Sequence, residues 1–135
     1  MHTTNYQDTF IAVADDCPAL NGEVPPMRGG KKSAANIAFE MIVNHPYKYT
    51  SDDVVFQIYT ERNDLTPDEL EKARQQYFSK GQPCLRASPL TKRYGWGVHS
   101  DARGRVALYG RETPEYERFL QDEGTKVVKA MKSAR

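Results

Sequence analysis

Cysteine is scarce in this chain of 135 residues, which holds only Cys17 and Cys84. Two thiols so far apart do not make the framework of a disulfide scaffold, so reduced side chains in a cytoplasm are expected. Long apolar runs are missing: nothing approaches the roughly 20 residues that cross a bilayer, and no membrane partner is expected. The opening MHTTNYQDTFIAV has no basic stretch ahead of an apolar one, so no secretory signal is expected either. Net charge is small, +1, which argues against a protein that coats nucleic acid with its whole surface. No Walker or dinucleotide glycine pattern exists, and Gly95, Gly97, Gly104 and Gly110 suit a hairpin better than a phosphate loop. Cys17, Cys84, His2, His45 and His99 contain no closely spaced pair of the zinc-site kind, so no metal and no cofactor are expected. Ser88 and Lys92 are four apart and do not form a Ser-x-x-Lys pair. The adjacent carboxylates Asp15-Asp16 and Asp52-Asp53 suit caps and loops rather than acid–base work.

The remaining composition is that of a globular protein, 39% hydrophobic and 27% charged. At this length one core is favoured over two, since two would each be marginal. The charge is unevenly spread. Between Ser79 and Arg111 lie seven bases (Lys80, Arg86, Lys92, Arg93, Arg103, Arg105, Arg111) against the single acid Asp101, leaving twelve bases and seventeen acids elsewhere.

Taken in order, Thr9–Ala14 reads as a strand. DDCPALNGEVPPMRGGKK, with three prolines and three glycines in eighteen residues, reads as a long irregular loop. Ser33 caps a helix whose apolar positions run from Ala34 to Ile42, and Pro46 stops it near Asn44. A polar loop through Asp53 follows. Val54, Phe56 and Ile58 then alternate with Val55, Gln57 and Tyr59, a strand pattern. Thr66-Pro67-Asp68-Glu69 opens a helix with a capping box, with Leu70, Ala73, Tyr77 and Phe78 as its buried stripe and Gly81 at its end. Cys84–Ala87 reads as a further strand. Thr113-Pro114 caps another helix, with Tyr116, Phe119 and Leu120 facing inward, and Val127-Val128 in the tail favour a last strand over more helix.

Trp96 to Gly110 reads as a β-hairpin around Asp101-Ala102-Arg103-Gly104, a type I turn with Gly104 in the left-handed conformation. That loop pairs Val98 with Leu108 and Ser100 with Val106, and places Tyr109 across from Gly97. Trp96, Val98, Val106 and Leu108 share one face, so Trp96 should be mostly buried. Gly97, His99, Ala107 and Tyr109 share the other. Upstream, Ser88-Pro89 starts a turn through Arg93, and free amides there beside Arg86, Lys92 and Arg93 suit an anion. A solvated basic edge that discourages aggregation reads the same residues without a ligand.

The stretches HTTNYQDTFIAVADDCP, PYKYTSDDVVF and FSKGQPCLRASPLTKRYGWGVHSDARGRVALYG resemble a family of small bacterial and fungal proteins catalogued only as a domain of unknown function. The resemblance covers nearly the whole chain. It implies a stand-alone domain and brings no activity or catalytic residue with it.

The expected fold is a single α+β domain over residues 1–135. Its sheet should be mostly antiparallel, of four or five strands, with about three helices packed chiefly on one side. The expected function is that of a binding module holding an anionic small molecule or nucleic acid at the basic segment 80–111. Arg86, Ser88, Lys92, Arg93, Tyr94 and His99 are its candidate ligand-binding residues. Two alternatives stand beside it: an enzyme using Cys84 or His99, for which no third orienting group is identifiable, and a protein–protein adaptor whose contact is the loop after the first strand.

Overall fold

Asp101 sets the hairpin. Its carboxylate accepts from the Arg103 and Arg105 amides at 2.9 Å each, and Gly104 closes the turn at φ 79°. The flanking strands β2 (Trp96–Ser100) and β3 (Val106–Gly110) pair in the expected register, Val98 with Leu108, Ser100 with Val106 and Gly97 with Tyr109. Strand β1 (Thr9–Ala12) adds antiparallel to β2, and β4 (Lys126–Lys129) adds parallel to β1, in the order β3-β2-β1-β4. The sheet is therefore mixed, not wholly antiparallel. The parallel pair has a simple cause. Helix α5 (Pro114–Gln121) carries the chain from β3 across β1, as a crossover helix must, to deliver β4 at the far edge.

The computed structural model describes residues 1–133, so the last two residues of the expected strand-forming tail lie outside the described residues. Among the described residues there are five α-helices rather than three: α1 (Ala34–Asn44), α2 (Ser51–Arg62), α3 (Leu70–Tyr77), α4 (Pro89–Lys92) and α5. Ser33 and Asn36 cap α1 reciprocally. The expected strand at 54–59 is instead the middle of α2, which starts in a second capping box: Asp53 N–H donates to Thr50 Oγ1 at 3.2 Å and Thr50 N–H to Asp53 Oδ2 at 3.0 Å. Ser51, Val54, Val55 and Phe56 are the positions it buries. The expected strand at 84–87 is a single 3-10 turn, Leu85–Ala87. The Thr66 segment begins as expected, with a 3-10 turn passing into α3. Among the described residues no helix is long and apolar enough to cross a membrane.

One face of the sheet carries Ile11, Val98 and Val106, which share a core with Ile42 of α1, Val54 of α2 and Leu90 of α4. The other face carries Phe10, Gly97, His99 and Tyr109 and is covered by α5. There Phe10 meets Tyr116 edge-on and stacks on Phe119, each at 5.0 Å between centroids. Trp96 is half-buried rather than mostly buried, because its indole N–H reaches out to the Glu23 carbonyl at 2.8 Å.

Candidate functional site

The six residues singled out from the sequence do not converge. Arg86 Nε donates to the Lys129 carbonyl at 2.7 Å, tying the guanidinium to the last strand. Ser88 Oγ accepts from Leu90 N–H and caps α4. Lys92 and the exposed Arg93 follow within the next turn, and neither side chain has a hydrogen bond or ion pair among the described residues. Tyr94 is half-buried at the margin of the core. His99 stands on the α5 face of the sheet, stacked on Phe119. Of the other bases in the segment, Arg105 pairs with Asp101 and Arg111 donates to the Ala19 carbonyl.

A cleft of about 300 Å³ opens on the helical side, among the start of α1, α2 from Val55 to Arg62, the end of α3 at Tyr77 and residues 83–89. Val55, Ile58 and Leu85 give it apolar walls, while Cys84, Ser88 and Arg62 are the polar groups on its lining. Arg62 is the last residue of α2, is exposed, and has no hydrogen bond or ion pair among the described residues. Cys84 Sγ lies 3.5 Å from the Tyr6 hydroxyl. That contact, with burial, pushes the Tyr6 phenol up against the opposing pull of Arg86. Sequence reasoning missed Arg62 because it missed α2. The Thr50/Asp53 capping box was the available signal.

On the opposite face three side chains form a hydrogen-bonded chain. Tyr47 Oη lies 2.8 Å from His99 Nδ1 and 2.9 Å from Tyr109 Oη. Tyr47 reaches them from the left-handed region, φ 59°, fixed there by its amide donating to the Val106 carbonyl. Burial, then the Tyr109 hydroxyl, pushes the Tyr47 phenol far up. Burial also pushes the His99 imidazole below its usual value, against the pull of Asp101, Asp8 and Asp122. The His99 ring sits 4.2 Å from the Phe119 ring, and Phe119 in turn lines an open depression of about 460 Å³ along α5, with Glu115, Arg118 and Asp122. Cys84 and His99 thus have separate partners and do not form a nucleophile–base pair. Among the described residues no three His, Cys, Asp or Glu side chains gather as metal ligands.

These features define a small α+β domain with an apolar cleft edged by the Arg62 guanidinium on one side of its sheet and a histidine–tyrosine chain on the other. The chain belongs to a family of unknown function, DUF6157, which matches it over residues 1–135. No curated protein and no solved structure matches it.

Proposed function

We propose that the protein is a small binding module that takes an anionic small molecule in the helix-side cleft. The ligand's apolar part would lie against Val55, Ile58 and Leu85 and its charge at Arg62. The observation that carries this reading is Arg62 itself, a guanidinium without a partner among the described residues, at an apolar cleft. Guanidinium presents two parallel N–H donors to a carboxylate or phosphate. Ser88 supplies a hydroxyl on the same lining, and Lys92 and Arg93, without an ion pair among the described residues, follow it in the chain. A small anion is favoured over a polymer because Arg86, Arg105 and Arg111 are already engaged by protein groups.

Octyl phosphate should raise the melting temperature by mass action, and octylamine should not. Arg62→Gln should weaken octyl phosphate about ten- to hundredfold, because a hydrogen bond to a charged group contributes about 1.5–3 kcal/mol. No stabilisation by millimolar octyl phosphate, or equal stabilisation of the variant, refutes the reading.

The Tyr109–Tyr47–His99 chain favours a second reading, an enzyme in which His99 takes a proton from a substrate beside α5. Such a role needs one fixed tautomer. Nitrogen chemical shifts of the imidazole should show it in the wild type and a mixture in Tyr47→Phe; a mixture in both removes this reading.

A further inference from the structure

The loop between β1 and α1 turns three large apolar side chains to solvent within eight residues: Leu20, Val24 and Met27 are 77%, 70% and 52% exposed. Slack chain is not the cause, because the backbone around them is fastened. Gly22 N–H donates to the Glu112 carboxylate at 2.7 Å, Glu23 N–H to the Tyr94 carbonyl at 2.8 Å, Trp96 Nε1–H to the Glu23 carbonyl at 2.8 Å, and the Asn36 side-chain amide to the Pro25 carbonyl at 2.6 Å. Pro25 is buried between exposed Val24 and exposed Pro26, so the outward direction of Val24 is set by the fold.

The segment then closes a two-residue turn. Gly29 and Gly30 have φ 59° and 74°, and the Arg28 and Lys31 backbones bond to each other in both directions. Arg28 and Lys31 are therefore neighbours across the turn, both exposed and neither in an ion pair among the described residues. Arg93, exposed and without an ion pair among the described residues, precedes the Tyr94 whose carbonyl holds the Glu23 amide. Of the acids close by, Glu112 accepts from Gly22, Asp15 pairs with Lys129 and Lys32 takes up Glu40, which leaves the exposed Glu23 as the one acid of the segment set against Arg28, Lys31 and Arg93.

We propose that this loop docks the protein on an anionic lipid surface, with Leu20, Val24 and Met27 entering the acyl boundary and Arg28, Lys31 and Arg93 meeting headgroups. The three apolar side chains project outward, the shape a soft interface accepts, and the free charge beside them has the sign that anionic lipid attracts. Association would be with the surface alone, since no helix spans.

Vesicles of phosphatidylcholine with phosphatidylserine should carry the protein down on sedimentation in about 0.1 M salt, and phosphatidylcholine alone should carry much less. Arg28→Gln/Lys31→Gln should lower the partition coefficient about 25-fold, at roughly fivefold per cation. Leu20→Ser/Val24→Ser/Met27→Ser should lower it at least about tenfold. Both variants should keep the wild-type melting temperature, since every changed side chain is exposed. Three results would overturn the proposal: no binding of wild type to the anionic vesicles, unchanged binding by the triple serine variant, or a wild-type dimer in sedimentation velocity that the serines dissolve. The last would assign the loop to a second copy of the chain.

Discussion

At His99 two physical effects oppose each other. Burial works against protonation, Asp101, Asp8 and Asp122 work for it, and burial is the larger. With the folded-state value below the unfolded one, the unfolded chain binds more protons just below its ordinary value of about 6.5. Stability should therefore rise with pH through that window and level off above it. His99→Gln should remove this part of the slope, read as melting temperature between about pH 5 and 7.5. Parallel curves for the two proteins would sink the claim. Asp101 acts in a different window. Burial raises its carboxyl, but the Arg105 and Arg103 amides and the Arg105 guanidinium outweigh that and hold it below the usual carboxylate range. Its contribution is present above the unfolded value and is lost only in more acid solution. Beside His99, Tyr47 accepts a left-handed backbone that costs a non-glycine residue about 1–2 kcal/mol. Hydrogen bonds to His99 and Tyr109 help to offset it.

Helix α5 lies close on the sheet because β2 has no side chain at Gly97. A Cβ there would overlap Phe10 Cζ and come within 2.8 Å of Tyr116 Cε2, and both rings are buried. Gly97→Ala should therefore cost about 1–3 kcal/mol by overpacking. Gly81→Ala is the control: the nearest atom is His2 Nδ1 at 3.8 Å, and the change should stay within about 0.5 kcal/mol. Urea unfolding of both measures this, and equal midpoints would show that the rings give way freely. The same elements show what the sequence discloses. The hairpin was legible to the register because turn chemistry and alternation agree on one pairing. The helices at Ser33, Thr66 and Thr113 were legible from their caps. Val54–Tyr59 was not, since alternating Val54, Phe56 and Ile58 mimic a strand, while the helix buries Ser51, Val54, Val55 and Phe56, a set without strict alternation. Arg62 was lost with that helix. The Tyr47–His99–Tyr109 chain joins residues 52 and 62 positions apart, a proximity that no local pattern encodes.

Both ends of the molecule are fastened to its middle. At the front, Thr3 and Thr4 hydroxyls and the Thr4 amide donate to Asp52 at the start of α2, and the His2 amide reaches the Phe78 carbonyl. At the back, β4 has a single strand neighbour and is held further by Arg86, whose guanidinium takes the Lys129 carbonyl while its own carbonyl accepts from Met131 N–H. The basic segment thus divides by task. Arg86, Arg105 and Arg111 serve the fold; Lys80, Lys92, Arg93 and Arg103 have no such partner among the described residues. Two single variants separate these tasks. Arg86→Gln should cost about 0.5–1.5 kcal/mol in urea unfolding, the worth of a lost hydrogen bond, and should loosen amide protection in β4. Arg93→Gln should stay within about 0.5 kcal/mol, as an exposed and unpaired charge. Any weak binding to duplex DNA should divide the other way. Losing a phosphate contact flattens the slope of log affinity against log salt by about 0.9, so Arg93→Gln should flatten it and Arg86→Gln should not. If Arg86→Gln proves as stable as wild type and is the variant that flattens the slope, Arg86 faces the ligand in solution and the tie to Lys129 contributes nothing.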